Sequence, residues 1–398
     1  MVESLPRRLF REWILPSMPR TLRERIVKPK FAWSFSDTRS IATAGDGEVR
    51  LLIAPANYAS QAYYWARAAE TLPRVSARNL MFGYGPQGSS VKPDFTVVTG
   101  AAWLSKAWAK RQRREIIDGF THVLYEAEKP ILPAYYDNDL QAEVRDLNAH
   151  GVRTAFVCHG TDIRRPSEHV TRERFSPFQS SLDGLTESAE KVTVINRAIL
   201  DSSKDPKFVS TPDLTQYLSG ATWLPTLTDP HRWESLPAAQ LGKRKLVVVH
   251  IPSRSAMKGT SHISPAMKRL QNEGLITYVE RQGVPYEDMP GLIGSADVVI
   301  DQVGMGLYGV ASVEALLAGR VVVAQAGDYI RTYIKNEVGE DLPIVEANPE
   351  TIYEVVKHIA QNPGDYAPRT ISGPQFARHV HSAERAAKVL SPFLLGSS

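Results

Sequence analysis

Short apolar runs alternating with helical segments restrict this chain more than any other feature. In the first half such runs fall at Val49–Ala54, Asn79–Phe82, Phe95–Val98, Thr121–Tyr125, Thr154–Cys158 and Val192–Ile195. In the second half they fall at 246–251, 275–279, 297–300, 320–324 and 343–345. Helical patterns separate them, at about 62–72, 102–118, 137–149 and 172–189, then 262–272, 286–294, 310–318, 330–337 and 349–361. A strand that is apolar throughout, with no polar face, must be covered on both sides, as parallel strands under helices are. Strands alternating with helices at this spacing predict doubly wound, parallel α/β sheets.

A chain of 398 residues is long enough for two such domains. The segment Ala221–Pro230 carries two prolines and no helical period, so it is read as a linker over 221–230. This predicts an N-terminal Rossmann-like domain over 49–220 and a C-terminal one over 231–374. Residues 1–48 form a basic extension and connector, and 375–398 a last helix, about 375–391, with a tail. The hydrophobic share of 43% and charged share of 23% suit a soluble globular protein. One cysteine, Cys158, excludes an intramolecular disulfide framework and fits a reducing compartment. No close cluster of Cys, His or acidic ligands suggests a metal, and no secretory signal or membrane span is expected.

Residues 297–323 concentrate the functional signal. A strand ends near Ile300, a loop with Gly304, Gly306 and Gly309 follows, and a helix opens at Val310 and stops at Gly319. Glycines ahead of a helix let backbone N–H groups approach an anion where the helix dipole also favours negative charge. Glu314 lies about one turn in, where it could accept from a ribose hydroxyl. Taken alone, the stretch is equally an ordinary βαβ unit with turn glycines. Upstream, Arg254 and Lys258 lie just beyond the strand 246–251. An Arg fork and a Lys point charge suit a diphosphate with no bridging metal, although a basic loop is as often a solvated surface.

Together, in this order, Arg254, Lys258-Gly259, Tyr308-Gly309 and Glu314 resemble the donor half of a retaining glycosyltransferase of the GT-B fold, family 4 type. In that family the Arg and Lys-Gly hold the donor diphosphate, and two glutamates separated by seven residues hold the sugar and the ribose. Glu314 matches the second glutamate, whereas Gly306 occupies the position of the first. The resemblance implies two Rossmann-like domains facing across a cleft, a C-terminal helix that can cross back to the first domain, and metal-independent transfer with retention. It implies no cofactor beyond the nucleoside diphosphate sugar that serves as donor. Arg254, Lys258 and the N–H groups near Gly309 and Val310 would stabilise the departing diphosphate, with the base near Arg281–Pro285.

In the first half, His159-Gly160-Thr161-Asp162-Ile163-Arg164 follows an apolar run. A lone His after a strand is more often structural; the resemblance favours a role for His159 at the sugar side, with Asp162 orienting it or a neighbouring loop. Arg164 is expected to close the loop by an ion pair. The loop Pro55–Gln61 contains no glycine where relatives carry a Gly-Gly pair; Asn57, which tolerates unusual backbone angles, is the acceptor-side candidate there.

The implied activity is that of a hexosyltransferase-type glycosyltransferase acting on a saccharide, glycolipid or secondary-metabolite acceptor. Two rival readings stay open on the same fold. A nucleotide-sugar epimerase would need cleft carboxylates and histidines, and a non-catalytic partner subunit would bind donor or acceptor without turnover. The net charge of +4 is too mild and dispersed for nucleic acid. Residues 1–30 are the exception, with eight Arg and Lys among Leu9, Phe10, Trp13, Ile14, Leu15 and Met18. They are read as a tail or a helix packed on the body, and less readily as a peripheral contact with the inner face of a membrane. The expected location is cytoplasmic.

Overall fold

The computed structural model describes residues 10, 14–27, 40–83 and 95–396. Half of the basic segment over 1–30 and half of the connector over 31–48 therefore lie outside the described residues; within the described part, Leu15–Ser17 and Arg20–Ile26 are helical. Among the described residues no helix is long and apolar enough to cross a membrane.

Twelve strands among these residues form two sheets. The first holds β1 (Val49–Ala54), β2 (Val75–Gly83), β3 (Phe95–Thr99), β4 (His122–Glu126), β5 (Arg153–Cys158), β6 (Lys207–Val209) and β7 (Thr222–Trp223), in the order β3-β2-β1-β4-β5-β6-β7. The second holds β8 (Leu246–His250), β9 (Ile276–Glu280), β10 (Val298–Ile300), β11 (Val321–Ala324) and β12 (Val345–Glu346), in the order β12-β11-β10-β8-β9. From β3 to β5, and throughout the second sheet, neighbouring strands run parallel. Leu51–Ala54 of β1, Val298–Ile300 of β10 and Val321–Ala324 of β11 are each buried without a break, which is why they read as unbroken apolar runs. Val248, Ile300 and Val323 pack with Ile263, Met267, Val356 and Ile359 from covering helices. Each such side chain stabilises by about 1.5–3 kcal/mol relative to exposure.

The chain divides into two compact units, Met1–His159 with Ala198–Phe208 and Ala386–Ser398, and Gly160–Arg197 with Val209–Arg385. The C-terminal residues belong to the first unit, where the Phe393 ring lies 5.0 Å from that of His122 and 6.4 Å from that of Phe208. Where one helix over 375–391 is expected, two occur, Arg369–Val380 and Ala383–Leu395. Between them His381 is turned inward, with Nδ1 2.8 Å from the Thr226 carbonyl and Nε2 3.0 Å from the Tyr308 hydroxyl. The carbonyl needs a proton from Nδ1, so Nε2 accepts from Tyr308, and burial lowers the ring's pKa to about 4, which keeps it neutral near pH 7.

Val192–Ile195, expected as a strand, lies inside the helix Leu185–Ser202. Its β-branched residues carry strand propensity, but the buried positions are Ala189, Thr193, Asn196 and Leu200, a helical spacing that leaves Val192, Val194 and Ile195 exposed. Arg164 does close its loop by an ion pair: Nε lies 3.0 Å from Asp213 Oδ2, with both side chains about 5% exposed. Removing one partner strands a buried charge. Arg164→Ala is therefore expected to destabilise by about 3–5 kcal/mol in urea unfolding. The exposed pair Arg114–Asp118 is the control, and Arg114→Ala should change stability by no more than about 1 kcal/mol.

Candidate functional site

Each sheet changes winding direction once, and there the connections leave toward opposite faces and open a crevice at the strands' carboxyl ends. In the second sheet this happens between β8 and β10, and in the first between β1 and β4. Arg254, Lys258, Gly306, Gly309, Val310 and Glu314 follow β8 or β10, and Asn57 follows β1, whereas His159 and Asp162 follow β5, one strand beyond the switch.

In the second unit, β8 ends at His250, and a tight loop leads into the short helix Ser255–Lys258 with Arg254 as its N-cap. The Arg254 side chain is exposed. Gly259, at φ +71°, starts the helix Thr260–Asn272, and a Cβ there would sit 2.1 Å from the Val303 carbonyl oxygen. Only glycine permits this approach, which brings the loop after β8 against the loop after β10. The Lys258 amine consequently meets Asp301, the residue that follows β10.

Asp301 is the buried acid at this place that sequence reasoning missed. Its second oxygen accepts from the Gly309 N–H at 2.8 Å and from the Ser312 hydroxyl at 2.7 Å. Burial pushes this carboxyl up, but Lys258 and the donors from Gly309 and Ser312 outweigh it and hold it below the ordinary range. The helix Val310–Leu317 has no side-chain N-cap of its own, and Asp301 takes that part from the preceding strand. The Gly309 N–H, expected to face a ligand, is thus already bonded to an internal anion. The available signal was an acid at the end of a central strand beside the switch in strand order.

Glu314 lies one turn into the same helix and is 5% exposed. Burial raises its carboxyl to about 8; Arg232 and a hydrogen bond from Thr228 oppose the shift, and Asp301 adds to it. Gly306, at φ +65°, belongs to a loop latched from two sides. Gln302 Oε1 accepts from the Met305 N–H at 3.0 Å, and Gln325 Oε1 accepts from the Gly304 N–H at 2.6 Å. A cavity of about 750 Å³ borders this region, with Phe175, Ser255, Gly259, Gln282 and Val303 in its lining. Gln282 lies within the stretch expected to meet the base, and its side-chain amide donates to the Ser255 hydroxyl. The structure therefore gathers Lys258, Gly309, Val310 and Glu314 around Asp301.

In the first unit, His159 follows β5, with Nε2 3.1 Å from the fully buried Glu126 at the end of β4. Glu126 is a second acid that the sequence reading passed over. The Tyr58 ring stands edge-on to His159 at 5.0 Å, and Trp65 lies tilted at 5.6 Å. Asn57 starts the short 3-10 turn Tyr58–Ser60, but the left-handed conformations of this glycine-free loop fall on Ala59 and Ser60, at φ 49° and 61°. Two adjacent non-glycine residues in that region mark backbone held by its surroundings. Asp162, in the second unit, braces its own loop: Oδ1 accepts from the Gly160 N–H at 2.5 Å and the Ile163 N–H at 3.1 Å.

No family model and no curated protein matches the chain. Solved structures do. Sucrose-phosphate synthase from Thermosynechococcus elongatus gives a TM-score of 0.56 at 13% identity, covering 86% of this chain and 97% of that one. Anabaena HepE in complex with UDP and glucose gives 0.56 at 12% identity, covering 86% and 98%. WaaG, a glycosyltransferase involved in lipopolysaccharide biosynthesis, gives 0.53 at 12% identity, covering 87% and 100%. At these identities the likeness is one of fold, and it places the chain in the GT-B architecture that its sequence predicts.

Glu314 gives a pH test of this geometry. A carboxyl held above its unfolded value keeps its proton in the native state after the unfolded chain has lost it. Stability is therefore fully present below about 4.5 and falls as pH rises to about 8, where the penalty for ionising the buried carboxyl is complete. The urea midpoint of Glu314→Gln should coincide with the parent's near pH 4 and exceed it increasingly toward pH 8. A gap independent of pH would contradict the buried, protonated carboxyl.

Proposed function

We propose that this chain is a glycosyltransferase that moves a sugar from a nucleoside diphosphate donor to an acceptor. The observation that carries the reading is the meeting of Lys258, Asp301 and the Val310–Leu317 helix start at the winding switch of the second sheet. Arg254 stands exposed beside it. The fold relatives include a protein solved with UDP and glucose.

In this reading the cavity along Ser255, Gly259 and Gln282 takes the nucleoside, and the diphosphate lies toward Arg254, Lys258 and the helix start. Transfer proceeds with retention and without a divalent ion. As the bond from the anomeric carbon to the phosphate oxygen breaks, negative charge grows on the leaving diphosphate. The Arg254 fork and the Lys258 amine stabilise it at that moment, which lowers the barrier more than equal binding of the ground state would. Glu314 holds the ribose, donating or accepting according to its protonation. His159, beside Glu126, supports the sugar, and Asn57 and Asp162 belong to the acceptor side. The acceptor class is a saccharide, a glycolipid or a secondary metabolite, and the basic residues of 1–30 provide peripheral membrane contact where that acceptor is a lipid.

Calorimetric titration with UDP, GDP, ADP and dTDP tests the donor site, with one diphosphate expected to bind and Glu314→Ala to lose it. Binding by none of the four would remove the reading. With the donor known, Arg254→Ala and Lys258→Ala should each lower turnover by roughly 10²–10³-fold, the usual effect of deleting one donor to developing charge. Near-normal turnover in both variants would sink the diphosphate assignment.

A further inference from the structure

Gly306 occupies a position at which the resembling family carries a glutamate, and the structure gives a physical reason for the glycine. The helix Pro166–Arg172 and the residues after it lie directly on the glycine loop within the second unit. His169 Nε2 is 3.2 Å from the Met305 carbonyl, and Nδ1 is 2.7 Å from the Ser176 hydroxyl. The carbonyl requires the proton on Nε2, so Nδ1 accepts from Ser176, and burial lowers this ring's pKa to about 4, which keeps it neutral near pH 7. The Phe175 carbonyl oxygen lies 2.7 Å from where a Cβ on Gly304 would stand. At Gly306 the occupant is a carboxylate: the three terminal atoms of Glu173 fall 2.3–2.7 Å from the Cβ position. No side chain fits at 306 while Glu173 is there, and φ +65° disfavours one in any case.

Glu173 is held rather than merely near. Its Oε2 accepts from Gln325 Nε2 at 3.1 Å, and the same Gln325 bonds the Gly304 N–H through its oxygen. One side chain therefore fixes both the loop and the carboxylate that lies on it. Among the described residues Oε1 meets no hydrogen-bond donor, and the Glu173 side chain is partly exposed. Burial, with Asp213 and Glu346, lifts this carboxyl to about 7 against the pull of Arg164. A half-buried carboxyl short of donors gains from a hydroxyl ligand.

We propose that Glu173 reads the donor sugar: it contacts the sugar hydroxyls from above the glycine loop, in place of a glutamate at position 306. The inference rests on the nucleotide-sugar reading above and assigns it a specificity-determining residue that comes from a distant part of the chain. Gly306 is then the structural counterpart of Glu173, and its lack of a side chain is no mark of lost catalysis.

The test is calorimetric binding of UDP, GDP, ADP and dTDP, and of their glucose, galactose and N-acetylglucosamine conjugates. The parent, Glu173→Ala, Glu173→Gln and the double variant Glu173→Ala/Gly306→Glu are compared. Bare diphosphate should bind both single variants within about twofold of the parent, whereas the preferred conjugate loses roughly tenfold or more, the effect of one charged hydrogen bond. The sugar preference should flatten in both, and the double variant should regain part of it. Thermal unfolding separates misfolding from lost recognition, with Glu173→Gln preserving shape if the alanine variant fails to fold. An identical sugar pattern in the parent and Glu173→Gln overturns the inference and leaves diphosphate binding intact. No binding of any diphosphate by the parent removes the nucleotide-sugar reading and the inference with it.

Discussion

The second unit's site depends on one buried carboxylate. Asp301 takes the Lys258 amine on one oxygen, and the Gly309 N–H and Ser312 hydroxyl on the other. A fully buried anion is costly unless every lone pair finds a donor, and here a cation and two hydrogen bonds satisfy it. The arrangement also does structural work. It fastens the loop after β8 to the loop after β10, and it begins the Val310–Leu317 helix in place of a local cap. Gly259 makes the contact possible, because any side chain there would strike the Val303 carbonyl.

The glycine loop follows from the same economy of space. Gly304 and Gly306 resemble a flexible phosphate cradle in the sequence, yet Gln302 and Gln325 bond the loop from within while Phe175 and Glu173 press on it from outside. The glycines serve close approach more than mobility. That distinction changes what a missing glutamate means: the Glu173 carboxylate stands where a side chain at 306 would begin, and φ +65° disfavours one there.

The strands were legible because parallel strands buried on both faces leave unbroken apolar runs, and Val298–Ile300 and Val321–Ala324 are such strands. Val192–Ile195 carried the same local signature inside a helix, since β-branched composition speaks to propensity and only the spacing of Ala189, Thr193, Asn196 and Leu200 speaks to burial. Arg254, Lys258 and Glu314 were legible as spacing along one half of the fold. Asp301 and Glu126 were visible as letters but not as partners: each ends a central strand, and its meaning depends on which loop the sheet order brings beside it. Glu173 could not be read at all from local pattern. Its neighbour Gly306 lies far along the sequence, and the contact exists only once the helix Pro166–Arg172 lies on the loop.

The Lys258–Asp301 pair has an electrical consequence for anything that approaches the site. Of the two cations, Arg254 projects its field into solvent, while the charge of Lys258 is largely cancelled at short range by its partner. The diphosphate proposed above would meet one open cation and one that must be shared, so its entry would be an exchange of counter-ions rather than the neutralisation of a bare basic patch. Attraction at a distance is correspondingly weak and is screened beyond roughly 8–10 Å at ordinary salt. In that reading the site would select by shape and close hydrogen bonding more than by charge.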